Sequence, residues 1–254
     1  MKKNPCILVT NDDGINSQGI KILEKVAKNL SDNVYVIAPN TEQSAKSHSI
    51  TLTEPLRINN LSKKRFSITG TPTDCVILGI NQIIKSLPDL ILSGINCGAN
   101  IAEDISYSGT IAAAIEGSLM GVPSIALSQV YNDRKKISWD VSKKYSQLVI
   151  NRLLDIGFEK NILFNINFPH ILSKNEDFIS ITKQGKRGYE ESHIVRKSDP
   201  RGEDYFWLGY RKQRLSPRDK SDLAAISNGL ISVSPLKIDF TDNQSLKILR
   251  SYFK

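Results

Sequence analysis

Short β-branched runs alternate with longer stretches of helical periodicity through the first two thirds of the chain. Cys6 to Thr10 reads as a strand; Ile20, Leu23, Val26, Ala27 and Leu30 then recur at the spacing of one helix face, and Val34 to Ala38 reads as a second strand. A strand, helix, strand order joins parallel strands by a right-handed crossover. It predicts an open, mostly parallel, twisted sheet with helices on both faces.

Farther along, Leu56 to Ile58 and Phe66 to Ile68 are expected to pair as a side hairpin, followed by a helix near Thr73 to Lys85. Leu90 to Ser93 and Ser124 to Ser128 read as buried strands, with a helix from about Gly109 to Met120 between them. Gly121, Val122 and Pro123 stop that helix, because glycine suits its C-terminal cap and proline cannot continue it. A helix over Val141 to Asp155 and a strand over Ile162 to Asn167 come next. The rhythm breaks from Phe178 to Lys220, a basic, turn-rich stretch in which Tyr189, Tyr205, Phe206, Trp207 and Tyr210 stand among charged residues. This stretch is expected to form an extended β arm. Ile231 to Val233 and a closing helix from about Ser245 to Tyr252 return to the core pattern. The expected organisation is thus an α/β core over 1–177, a protruding arm over 178–220, and a return to the core with a C-terminal helix over 221–254.

A chain of 254 residues with 40% hydrophobic and 24% charged residues has enough apolar material for a substantial core, which sets aside the disordered and fibrous classes. No stretch reaches the roughly 18 to 20 apolar residues of a membrane span, so a cytoplasmic setting with no membrane partner is expected. Cys6, Cys75 and Cys97 are too few and too scattered for a disulfide framework or a thiolate zinc site. The net charge of +8 would help attract phosphate-bearing ligands and, less specifically, nucleic acid, though a solvated basic surface is the preferred reading of it. The aromatic and basic residues of the arm suit base stacking or an oligomer interface, and the interface is the preferred reading.

Ligands of open α/β sheets sit beyond the carboxyl ends of the strands, and four loops there carry chemistry. Asn11-Asp12-Asp13-Gly14 follows the first strand. Two adjacent carboxylates offer a hard cation several oxygens, while a turn or a helix cap uses the same residues. Ala38 to Ser44 crowds side-chain oxygens after the second strand and, taken alone, is an ordinary polar loop. Ser93 to Asn100 has glycines at 94 and 98 that allow close approach to a ligand, and Asn96 offers an oxygen to a metal or an amide to a phosphate. Tyr107-Ser108-Gly109-Thr110 opens a helix whose free N–H groups and dipole suit an anion, with capping by Ser108 as the simpler reading. Cys97 within the glycine loop is a rival nucleophile without a nearby histidine in sequence; His48, His170 and His193 are treated as ordinary polar residues.

Taken in order, Ile7 to Gly14, Ala38-Pro39 with Gln43-Ser44, Gly70 to Cys75, Ser93 to Asn96 and Tyr107 to Ala113 resemble the successive signature blocks of the SurE survival-protein family. Asn167-Phe168-Pro169 and Ser234-Pro235-Leu236 extend the resemblance over essentially the whole chain. It implies a Rossmann-like three-layer α/β fold and a phosphomonoesterase acting on nucleoside 5′- and 3′-monophosphates, with short polyphosphate a substrate of some members. A metal site of Asp12, Asp13, Ser44 and Asn96 is implied, and this all-oxygen set suits one Mg²⁺ or Mn²⁺ better than zinc. Asp12 and Asp13 are the expected catalytic pair, as water-activating groups or through an aspartyl-phosphate. Ser108, Gly109 and Thr110 are expected to bind the phosphate, and Asn11 and Asn100 to hold the substrate or the loop. The family also implies a homodimer or homotetramer. Two departures stand out: Ala45 where the family often has glycine, and Ala102 within a stretch where glycine is frequent. A broader phosphatase or polyphosphatase, and a nucleic-acid-binding module without hydrolysis, are the competing readings.

Overall fold

The computed structural model describes residues 3–174, 176–187, 192–210 and 220–253. Nine strands form one sheet: β1 (Ile7–Thr10), β2 (Val34–Pro39), β3 (Ile58–Ser62), β4 (Arg65–Ile68), β5 (Leu90–Cys97), β6 (Ser124–Gln129), β7 (Ile162–Phe168), β8 (Ile179–Ile181) and β11 (Ile231–Lys237). Their order is β3-β4-β2-β1-β5-β6-β7-β11-β8. The pairs of the centre are parallel, while β3 runs antiparallel to β4 and β11 antiparallel to β7. This is the expected Rossmann-like, mostly parallel sheet.

Alternation within the strands feeds two cores. Ile7 and Val9 of β1 and Leu90 and Leu92 of β5 join the core under α1 (Gln18–Lys28) and α4 (Asp140–Ile156). Leu8 and Ile91 face the other way, toward α2 (Pro72–Leu78) and α3 (Gly109–Leu119). Successive side chains of a strand point to opposite faces, so each central strand is sealed on both sides. The helices begin where side-chain caps allow. Ser17 accepts the N–H of Ile20, Thr71 and Asp74 form a reciprocal capping box, and Ser108 accepts the N–H of Ile111.

Several expectations shift. The first hairpin strand lies at Ile58–Ser62 rather than Leu56 to Ile58, and the hairpin extends the main sheet through a parallel pairing of β4 with β2. All five residues of β3 are exposed, so no hydrophobic alternation marks it. The helix expected to Lys85 is α-helical only to Leu78 and continues as a π-helical turn over Gly79–Ile84. The boundary expected at 178 also moves. β8 pairs in parallel with β11 and belongs to the main sheet, because its backbone completes that sheet's edge. The arm proper is the antiparallel hairpin of β9 (Ser192–Ser198) and β10 (Asp204–Tyr210). Tyr189 and the basic run 211–219 lie outside the described residues. A short helix, α5 (Asp222–Ser227), precedes β11 and was not expected from the pattern. The closing helix α6 (Asn243–Tyr252) has no buried residue, so it does not return to the core of this chain.

Candidate active site

The strand order reverses beside β1: the chain moves from β1 to β2 on one side and later places β5 on the other. Such a switch point opens a crevice beyond the strand ends, since the loops leaving the two strands diverge. Two hydrogen bonds fasten three of the four candidate loops there. The Gln43 N–H donates to the Asp12 carbonyl at 2.8 Å, which sets the second loop and Ser44 beside the first. The Cys97 N–H donates to Asp13 Oδ2 at 3.1 Å, which sets Asn96 on the other side.

Asp12, Ser44, Asn96, Asn100 and Ser108 line one cavity of about 690 Å³. Asp13 lines the adjoining cleft with Glu42 and Arg134, and Cys97 borders both. Asn96 reaches this place because the pairing of β5 with β6 slips between Ser93 and Asn96. Gly94 sits in the slip at φ +135°, and an added Cβ would lie 2.3 Å from the Leu127 carbonyl oxygen, so only glycine fits. Ser44 is exposed, and its Oγ donates to Glu42 Oε1 at 2.9 Å. Asn96 Nδ2 donates to the Gly98 carbonyl at 3.0 Å, turning its amide nitrogen into the loop.

Asp12 is almost fully buried. Thr110 Oγ1 donates to its Oδ1 at 2.5 Å, and the Thr110 backbone N–H also favours the charged form. The start of α3 thus holds the Asp12 carboxylate, through the Thr110 hydroxyl and N–H. Thr110, expected to bind phosphate through its hydroxyl, uses that hydroxyl to hold Asp12. Gly109 permits the arrangement: an added Cβ would stand 2.8 Å from Asp12 Cβ and 3.0 Å from its Oδ2. Ser108 caps α3 through its Oγ and still borders the cavity.

The two asparagines lie in different surroundings. Asn11 is fully buried and does not border the cavity; its amide donates to the Gly14 carbonyl at 3.1 Å and to Ser17 Oγ at 2.8 Å, so it shapes the loop. Asn100 borders the cavity and is pinned by β6 and β7. It donates to Ser128 Oγ and, from its backbone, to Asn167 Oδ1, and its carbonyl accepts from Asn165 and Asn167.

Burial pushes the Asp12 carboxyl above its ordinary range, against the opposing effect of the Thr110 hydrogen bond. Burial, with repulsion from Asp12 next, pushes Asp13 up to about 7. Two adjacent desolvated carboxylates thus share a site where full deprotonation is costly without a cation. Their oxygens, with the Ser44 hydroxyl and the Asn96 amide oxygen beside them, make a donor set that fits a hard divalent ion. No group of three or more His, Cys, Asp or Glu with metal-binding geometry exists among the described residues. Burial and Asp13 push the Cys97 thiol up, the opposite of what an activated nucleophile needs.

Sequence reasoning passed over part of the cavity wall. Asp104, Arg187 and two arm residues, Ile194 and Leu208, border it as well. Ile194 and Leu208 face each other across the hairpin. A signal for them existed only in the break of rhythm after Phe178, which pointed to an arm but not to what the arm covers.

The family model described as Survival protein SurE matches residues 7–191. The chain is 46% identical over 248 residues to a Paramagnetospirillum magneticum protein called 5'-nucleotidase SurE, covering 97% of this chain and 95% of that protein. A Methylobacterium nodulans protein of the same name is 46% identical over 243 residues, covering 94% and 96%. The crystal structure of the SurE protein from Aquifex aeolicus superposes with a TM-score of 0.84 at 35% identity, over 98% of this chain and all of that one.

Proposed function

Since the chain belongs to the SurE family, we propose that it is a 5′-nucleotidase, a phosphomonoesterase that depends on one divalent metal and hydrolyses nucleoside 5′- and 3′-monophosphates to nucleoside and phosphate. The observation that carries this reading is the stitching of three loops around a buried carboxylate, Asp12, and a half-buried one, Asp13, at the switch point, with Asp12, Ser44, Asn96 and Ser108 on one cavity. Asp12, Asp13, Ser44 and Asn96 would hold Mg²⁺ or Mn²⁺, which when bound offsets negative charge on phosphoryl oxygens.

In the reaction a water oxygen bonds to phosphorus, the ester P–O bond breaks, and the proton lost by water is balanced by one gained by the leaving ribose oxygen. The transition state is loose, so little proton removal is needed early. Thr110 keeps Asp12 oriented toward this chemistry. Asp13 completes the metal set from the adjoining cleft. Ser108, which borders the cavity at the start of α3, would meet the phosphate there. A volume of about 690 Å³ also accommodates more than a bare phosphate, which supports a nucleotide-sized substrate.

The reading also takes a second copy of this chain as partner. Phe206 and Trp207 on the arm and Ile248, Leu249, Tyr252 and Phe253 at the closing helix are large, apolar and exposed. No helix among the described residues is long and apolar enough to cross a membrane.

The test is phosphate release from AMP and 3′-AMP against a panel including p-nitrophenyl phosphate and short polyphosphate. Activity is expected to vanish in EDTA, return with Mn²⁺ or Mg²⁺, and prefer nucleotides. Asp12→Asn and Asp13→Asn are each expected to lower kcat by about a hundredfold or more. A folded variant of either kind with full activity refutes the assignment.

A further inference from the structure

The cavity that holds Asp12 carries a second charged assembly on its other wall. Arg187 Nη1 donates to Asp104 Oδ1 at 2.6 Å, and each side chain is only about one-fifth exposed, at 19% and 21%. Arg187 is the one cationic side chain among the described residues that border the cavity, which otherwise presents carboxylates, amides, hydroxyls and apolar groups.

Its placement is fixed from several directions. The Arg187 backbone N–H donates to both oxygens of Glu103, at 3.1 and 3.0 Å. Two residues earlier, the Gly185 N–H donates at 2.8 Å to Oδ1 of Asp222, a fully buried carboxylate at the start of α5. Asp222 also accepts from the Ala102 N–H at 2.9 Å, so one side chain ties the arm's root to the turn that carries Glu103 and Asp104. The Asp104 carbonyl accepts from the Tyr107 and Ser108 N–H groups, both at 3.0 Å. The ion pair therefore stands one turn ahead of Ser108, on the same wall as the start of α3.

A half-buried ion pair is a poor stabiliser, because desolvation offsets most of its attraction. Placing one against an open cavity, with its backbone tied at two points, orients a guanidinium at little further entropic cost when an anion arrives. A guanidinium presents its donors in a planar fork matched to phosphate, so an arginine on the cavity wall suits an oxyanion there. We infer that Arg187 binds the phosphoryl group of the substrate in this cavity, with Asp104 as its positioning residue. The inference rests on the nucleotidase reading and adds to that site a cation supplied by the chain itself.

The experiment combines steady-state kinetics on AMP with inorganic phosphate as probe, used both as a competitive inhibitor and as a stabiliser in thermal melts. Arg187→Gln is expected to raise KM for AMP and Ki for phosphate by about tenfold or more, and to abolish the rise in Tm that phosphate gives the wild type. Asp104→Asn is expected to raise both constants less. Arg187→Lys keeps the charge and loses the fork, so a severalfold rise in Ki is expected, and this variant decides the matter if Arg187→Gln does not fold. Unchanged KM and Ki in a folded variant overturn the inference, as does a loss of kcat alone. The melts need no turnover: a wild type that phosphate stabilises but that cleaves no nucleotide breaks the nucleotidase reading and leaves the Arg187 assignment standing.

Discussion

Ala45 and Ala102 both sit in left-handed backbone, at φ +59° and +52°. A Cβ in that conformation costs roughly 1–2 kcal/mol, which explains why the resemblance leads one to expect glycine nearby. Ala102 is fully buried, with its N–H on Asp222 and its carbonyl accepting from Gln184 Nε2. Ala45 is exposed on the rim of the cavity, so its methyl group contributes little packing. Ala45→Gly is therefore expected to stabilise the fold by about 0.5–1 kcal/mol, the relief of strain less the extra freedom of glycine in the unfolded chain. A urea titration in which the midpoint fails to rise counts against the strain. At this scale the sequence named several residues of the cavity wall: Asp12, Ser44, Asn96, Asn100 and Ser108 were all candidates. What it did not reveal was orientation. That Thr110 spends its hydroxyl on Asp12, and that Asn11 turns into its own loop, are facts of side-chain direction that residue types do not encode.

The elements most legible in the sequence are those that bury a face. Strands β1, β2, β5, β6 and β7 and helices α1, α3 and α4 lie within a few residues of their expected bounds, because two cores impose their periodicity on the chain. β3, with no buried residue, left no such trace. α5 is only six residues long, too short for a helical period, although Ser221 before Asp222 is a fair capping signal. The join between α3 and the loop after β1 depends on one missing side chain. Gly109→Ala would push a methyl group to 2.8 Å from Asp12 Cβ and 3.2 Å from Pro72 Cγ, in a region with no slack. The expected result is a destabilisation of about 1–3 kcal/mol with a fall in kcat at least as large as that of a misplaced catalytic group, about tenfold or more. Normal kinetics in a folded Gly109→Ala protein would show that Asp12 tolerates displacement.

For the whole molecule, the parallel centre and the site at its switch point follow from the order of elements, whereas the interleaving of β11 between β7 and β8 does not. That step depends on which edge the returning chain joins, and several edges satisfy the same hydrophobic pattern. The exposed apolar side chains of α6 and of the arm belong to this scale too. Sedimentation at micromolar concentration is expected to give a dimer or tetramer, and a stable monomer would remove the second copy from the account.

Asp222 gives the molecule an order of completion. The carboxylates, hydroxyl and amide proposed to hold the metal all lie within the first hundred residues, yet the wall bearing Arg187 is fastened by an acid more than a hundred residues farther on. A growing chain thus carries its acidic centre long before it can finish the enclosure around it. Reactive equipment comes first and its housing last, so a protein cut short before α5 would keep the acids but lack the clasp that closes their chamber.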